Sequence, residues 1–320
     1  SSCRLSPWTT LPLAGLTLRE LVTRFGPALL GARGLAASQP FGDFPLLVKF
    51  IDADDVLSVQ VHPDDEQAQP LGQRGKTEAW YILAAEPGAE LIVGLTAPLD
   101  PSTVRTLLAE RRLAEYLVRL PVQAGDTVIV PAGTLHAIGR GILLYEIQEQ
   151  SDITYRFYDW DRVDAAGHGR PLHIEEGLVV LRPERQARRT QPLALDEWRT
   201  ILTACRYFLL ERWEISGARV VEFAPGQTFR LLSCIAGELT LRVPPRSTIR
   251  MGVGQTTLLP ATVTHLALDG QGTLLAASVP DLVGDVVAPL RTRTHDIAAI
   301  RQLAGSTGDL DPFFQQPADS

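Results

Sequence analysis

Residues 125–138 read GDTVIVPAGTLHAI, and residues 254–267 read GQTTLLPATVTHLA. Gly, Pro and His keep one spacing in both: Gly125, Pro131 and His136 against Gly254, Pro260 and His265. Each copy reads as strand, turn and strand. A unit of this kind that occurs twice, in two β-rich regions, points to duplicated small β-barrels.

The rest of the chain fits that frame. Residues 17–31 (TLRELVTRFGPALLG) predict a short amphipathic helix stopped by Gly31, inside an N-terminal segment of residues 1–43. From Phe44 the text turns to short β-rich runs (LLVKFIDA, VLSVQVHP, AWYILAA, ELIVGL) separated by turn residues. A helical insertion is expected at about 100–120, with Ser102 as N-cap, before strands resume up to residue 163. The expected domains are a first barrel at 44–163 and a linker at 164–204 with one short helix near 173–181. A second barrel follows at 205–280, and then a loose tail at 281–320.

With 320 residues and 45% hydrophobic content, the chain can bury a core for two domains. A formal charge of −7 and a pI near 5.4 argue against a nucleic-acid partner. No apolar run approaches the roughly 18 residues of a membrane span. The first residues lack the pattern of a signal peptide, and the missing initiating Met suggests a trimmed chain. Cys3, Cys205 and Cys234 form no CxxC pair and read as reduced thiols. The expectation is a cytoplasmic protein.

Polar residues stand where apolar ones belong. In LSVQVH (57–62), Leu57, Val59 and Val61 share one face of a strand, and Ser58, Gln60 and His62 share the other. Glu78 opens the strand TEAWYIL, and His136 follows the turn PAGTL. Taken singly, His62 reads as an ordinary satisfied or surface histidine and Glu78 as a solvated strand end. Burying Gln60, His62, Glu78 and His136 together without a shared partner would cost several kcal/mol. A metal removes that cost, and two imidazoles, a carboxylate and an amide oxygen suit a borderline ion such as Zn²⁺ with an open position. The second barrel has no Q-x-H pair, so His265 is expected to be structural there.

The spacing G-x5-P-x4-H resembles the second motif of the cupin superfamily. More specifically, LSVQVHPDDEQA, GKTEAWYIL, VPAGTLHAIG and LLYEIQEQSDITYRFYDWDR together resemble the type I mannose-6-phosphate isomerases, in their short bacterial form. The resemblance implies a mainly β fold with two cupin-type barrels (double-stranded β-helices) and a small helical insertion. It also implies one Zn²⁺ per chain on Gln60, His62, Glu78 and His136, the set the burial argument selects. It further implies substrate or phosphate roles for Ser58 and Arg156, and matches Lys76 and Asp152 to family residues near the site. The longer enzymes carry His-Lys-Pro-Glu where this chain has Gly75-Lys76-Thr77-Glu78. They tend to have Tyr at the place of Ile138.

The implied reaction interconverts mannose 6-phosphate and fructose 6-phosphate through an enediol or enediolate, and needs an acid/base within reach of two neighbouring carbons. Glu146 and Lys76 are the candidates. Arg156 offers a bidentate fork for phosphate. Lys49 interrupts an apolar strand, as a second phosphate ligand or as a snorkelling surface lysine. Rival readings are another metal-dependent cupin enzyme (sugar-phosphate isomerase or oxygenase) and a non-catalytic sugar-binding cupin. The expected partner is a small sugar phosphate, and the expected state a monomer or weak dimer.

Overall fold

The structure, a computed structural model, describes residue 13 and residues 15–244 and 247–315; Cys3 and the end of the expected tail lie outside them. The chain is mainly β and forms two compact units. One joins Leu47–Pro192 to the stretch from Ile297 onward, and the other joins Leu193–Asp296 to the stretch up to Leu46. Both units therefore combine pieces that the sequence reading kept apart.

The first unit holds ten strands: β1 (Leu46–Ala53), β2 (Val59–Val61), β3 (Glu78–Ala85), β4 (Glu90–Leu95), β5 (Leu117–Pro121), β6 (Thr127–Val130), β7 (Ala137–Ile138), β8 (Ile142–Glu149), β9 (Tyr155–Tyr158) and β10 (Arg188–Arg189). They pair as β1-β8-β3-β6-β10, β2-β9 and β5-β4-β7. Register sets Glu78 opposite Gln148, Trp80 opposite Glu146 and Ile82 opposite Leu144. Because side chains alternate across a strand, these six share one face. That face is apolar at the Ile82 end, where Trp80, Val128, Val130, Ile142 and Leu144 form a core, and polar at the Glu78 end. On the other side of β2, Val59 and Val61 pack with Leu135 and Phe157 against residues of the helices Pro101–Ala109 and Ile174–Val180.

Several expectations are corrected. The insertion is a short helix, Pro101–Ala109, capped by Asp100 rather than Ser102, followed by a 3₁₀ turn at Leu113–Tyr116. The Asp100 carboxylate accepts from the N–H groups of Ser102 and Thr103 at 2.9 and 3.0 Å. Arg111 then takes φ 59°, and Leu117–Pro121 becomes β5 because it pairs with β4. Short apolar runs of this kind suit either period, and the tertiary partner decides. The expected linker carries the helix Ile174–Val180 and β10, which pairs with β6. The expected loose tail places Leu303 and Leu310 at no exposure and bonds Ser306 Oγ to the Gln186 carbonyl at 2.5 Å.

The second unit holds β11 (Leu193–Ala194), β12 (Arg199–Ala204), β13 (Leu209–Ser216), β14 (Arg219–Glu222), β15 (Arg230–Val243), β16 (Ser247–Gly252), β17 (Thr256–Leu259) and β18 (His265–Ser278). These form one eight-stranded sheet around Trp213, Leu232, Cys234, Leu241, Leu266 and Leu274. Cys205 and Cys234 are buried and not disulfide-bonded. The N-terminal helix belongs to this unit and runs Leu18–Ser38, beyond the expected stop. Gly31 does break its dihedrals (φ 70°), and there Ala32 and Arg33 donate to the carbonyls of Gly226 and Gln227. A Cβ at Gly31 would lie 2.6 Å from Gln227 backbone, so only Gly fits.

The repeat is a repeat in space as well. Gly125 and Gly254 each precede a four-residue strand, β6 and β17. Pro131 and Pro260 each end it, and His136 and His265 stand at the entry to β7 and β18. Among the described residues the strands of each unit pair into open sheets, without the closed barrel expected from the repeat.

Candidate metal centre

Two strands and one turn deliver the site. Gln60 and His136 form an antiparallel bridge in which each backbone N–H donates to the other's carbonyl at 2.9 Å. This sets their side chains next to each other. His62 follows β2, and Glu78 begins β3. The ligand atoms of His62, Glu78 and His136 all lie within 4.8 Å of one another, the single such group of three among the described residues. Glu78 Oε1 is 3.2 Å from His136 Nε2, and Glu78 Oε2 is 3.7 Å from His62 Nε2. The Gln60 amide lies 3.4 Å from His136 Nε2. A half-turn of that amide presents Oε1 in place of Nε2.

Backbone carbonyls fix both imidazoles. His62 Nδ1 lies 2.8 Å from the Ile153 carbonyl, and His136 Nδ1 lies 2.8 Å from the Thr134 carbonyl. A carbonyl only accepts, so each Nδ1 carries a proton and each Nε2 is the ring atom turned to the site. Burial, then the Lys76 ammonium, hold the His62 pKa well below the usual histidine value, which keeps the ring in its ligating neutral form. Glu78 is held well below the usual carboxylate range: burial opposes this, but Lys76 and His136 outweigh it.

The donor set fits a cation. Glu78 has no solvent exposure, and neither carboxylate oxygen has a hydrogen bond of acceptable geometry. Lys76 Nζ stands 3.0 Å from Glu78 Oε2 and 3.0 Å from His62 Nε2, close in charge but not aligned to satisfy the carboxylate. An ionised, unsatisfied buried carboxylate is costly, and a divalent ion shared with two neutral imidazoles removes that cost.

Glu146, 4% exposed, shares the polar face with Glu78. Its Oε1 accepts from Lys49 Nζ at 2.7 Å and its Oε2 from Trp80 Nε1 at 3.1 Å. Lys49 Nζ also donates to Gln148 Oε1 at 2.5 Å. Lys49 is thus tied into the face by two bonds, and the snorkelling reading is corrected. Ser58 is buried on the Gln60 side of the strand. Arg156, the register partner of Gln60, donates from Nη1 to the Pro171 carbonyl at 2.9 Å, while its buried Nε has no partner. Asp152 is exposed; its neighbour Ile153 is the residue that touches His62. His265 is partly exposed and pairs in register with Glu222.

Gln148 was legible as a polar residue on the Glu146 face of its strand, and the register sets it opposite Glu78. Sequence reasoning did not single out Trp80, whose signal is the i, i+2 spacing from Glu78 and needs the β3–β8 register to be read.

Fold and site together define a cupin-type protein with a candidate metal centre. A family model of the type I phosphomannose isomerase catalytic domain matches residues 17–105, and one of the mannose-6-phosphate isomerase cupin domain matches residues 198–279. The mannose-6-phosphate isomerase of Streptococcus mutans is 40% identical over 238 residues, 73% of this chain and 74% of that protein. A Bacillus subtilis mannose-6-phosphate isomerase is 42% identical over 201 residues, covering 61% and 62%. The crystal structure of a mannose 6-phosphate isomerase from Bacillus subtilis superposes with a TM-score of 0.72 at 31% identity, covering 83% of each chain. The chain belongs to the type I mannose-6-phosphate isomerase family.

Proposed function

We propose that the protein interconverts mannose 6-phosphate and fructose 6-phosphate, with one Zn²⁺ per chain held by Gln60, His62, Glu78 and His136. The observation that carries this reading is the buried, hydrogen-bond-free Glu78 carboxylate between two imidazole Nε2 atoms, with a second buried carboxylate, Glu146, on the same face. Bound there, the ion would supply a fixed positive charge that stabilises the enediolate oxygens.

The remaining chemistry falls to the chain's own side chains. The Glu146 carboxylate takes the proton from C2 of open-chain mannose 6-phosphate; the C2–H pair forms a C1–C2 double bond as the C1 carbonyl π pair moves onto O1, O1 takes up the proton that leaves the C2 hydroxyl, and as the C2 carbonyl forms the double-bond pair takes the Glu146 proton back at C1. The bonds from Lys49 and Trp80 hold that carboxylate in one orientation. Lys76 stands beside Glu78 as the alternative proton carrier. Arg156, with its free buried Nε, meets the phosphate, and Ser58 lines the substrate side.

We read the two units as two cupin-type folds, with the second lacking a Q-x-H pair. We assign the enzyme to the cytoplasm as a monomer or weak dimer; no described helix is long and apolar enough to cross a membrane. Turnover of mannose 6-phosphate against glucose 6-phosphate, read as fructose 6-phosphate formed, tests the substrate. A strong preference for the mannose form is expected, and equal or absent turnover of it contradicts the reading.

A further inference from the structure

The segment Arg74–Glu78 delivers both Lys76 and Glu78 to the centre, and every residue of it is buried. Three successive backbone N–H groups in it go to three different partners. Gly75 donates to Asp65 Oδ1 at 3.0 Å, Lys76 to the Pro63 carbonyl at 3.0 Å, and Thr77 to Glu149 Oε1 at 2.9 Å. In return Glu149 N–H donates to the Thr77 carbonyl at 3.2 Å, and Ser151 Oγ to the Arg74 carbonyl at 2.9 Å. The segment is threaded between the turn after His62 and the end of β8. The fit is tight: a Cβ at Gly75 would come 2.6 Å from Asp65 N. That explains why the His of the longer enzymes' His-Lys-Pro-Glu is Gly here.

Glu149 is 3% exposed, and its carboxyl is hydrogen-bonded to that of Asp65, an exposed residue. Two carboxyl groups that share a hydrogen bond hold one proton between them. Burial, then the charge of Asp65, push the Glu149 pKa well above the usual carboxylate value. Glu149 accepts from Thr77 N–H with Oε1, and its partner Asp65 accepts from Gly75 N–H with Oδ1, so the pair holds two successive peptides of the segment.

We propose that Glu149, paired with Asp65, is a positioning residue of this site: it fixes the peptide between Lys76 and Glu78, and so the aim of both side chains. The inference rests on the isomerase reading above and adds to it a residue that touches neither the ion nor the sugar. A half-turn of the Lys76–Thr77 peptide would move both neighbouring side chains, and the bond from Thr77 N–H to Glu149 Oε1 opposes it.

The test compares Glu149→Gln, which keeps a side-chain oxygen to accept from Thr77 N–H, with Glu149→Met, which fills the same space and cannot accept it. Each is measured as the full chain for kcat, KM and zinc retention against a chelator, with near-ultraviolet circular dichroism as a check on folding. Glu149→Gln is expected within about 3-fold of the parent in kcat and zinc affinity. Glu149→Met is expected to lose roughly 10- to 100-fold in both, as outer-sphere partners of ligands do, with KM changed less than kcat. Asp65→Ala, at the surface, is expected to lose kcat and zinc affinity in the same direction even if Glu149→Met does not fold. The proposal is overturned if Glu149→Gln falls as far as Glu149→Met, or if both Glu149→Met and Asp65→Ala keep parental kcat and zinc affinity. If the parent itself fails to isomerise mannose 6-phosphate, the functional reading falls, while the zinc-affinity comparison still decides the positioning role.

Discussion

Glu78 shows how a single side chain can carry information about a site. Its carboxylate has no exposure and no aligned hydrogen bond; the Lys76 ammonium 3.0 Å away helps keep it ionised, and two imidazoles stand beside it to share a further cation. His136 and His265 make the matching comparison, since they occupy the same place in the repeat but only His136 lies against Glu78. His136→Ala should lose bound metal and at least about 100-fold in activity, while His265→Ala should keep both, as read by metal analysis and turnover. The reverse outcome would move the centre to the second unit. Gln60, His62, Glu78 and His136 were legible in the sequence because burying four polar groups on β-rich runs has few physical excuses. Lys49 was not legible: a lysine in an apolar strand looks the same whether its ammonium reaches water or Glu146, and only the β1–β8 neighbourhood decides.

At the scale of elements, the short strands around the site depend on close backbone approach. At Gly139, just after β7, an added Cβ would fall 2.0 Å from the Glu90 carbonyl oxygen at the start of β4. Gly139→Ala must therefore push β4 and β7 apart, with an expected loss of about 1–3 kcal/mol in the urea-induced unfolding of the first unit. At Gly169 the nearest atom to such a Cβ is 3.5 Å away, and Gly169→Ala should leave that transition in place. Equal effects at both positions would contradict the packing argument. Strand starts and the helix Ile174–Val180 were readable from residue type and punctuation. The 100–121 region was not, because EYLVRLP fits helix and strand alike and the β4 partner lies 20 or more residues away in sequence.

At the scale of the whole molecule, the chain crosses between its units in a way that residue patterns do not announce. The N-terminal helix is fastened to residues 226–229 and 261, and the C-terminal turns to residues 129 and 186, both contacts of very long sequence separation. The second unit also buries a titrating carboxyl. Burial pushes the Glu211 pKa up to about 7, with Arg199 and Arg230 opposing it. An unfolded Glu titrates near 4.3, so the folded unit binds the extra proton between about pH 4.3 and 7. The contribution to stability is fully present below that window and is lost as pH rises through 7, on the order of 3 kcal/mol. Denaturant unfolding should show the second unit weakening from pH 5 to 7, and Glu211→Gln should flatten that slope. An unchanged slope in the variant would assign the pH dependence elsewhere.

Dependence of catalysis on a divalent ion held in the first unit is read from one preparation in three states. The full-length protein is assayed for conversion of mannose 6-phosphate to fructose 6-phosphate as purified, after exhaustive chelation, and after return of one equivalent of Zn²⁺. Activity should disappear with the metal and come back with it, at one ion per chain. Full-rate turnover in the demetallated protein would contradict this dependence.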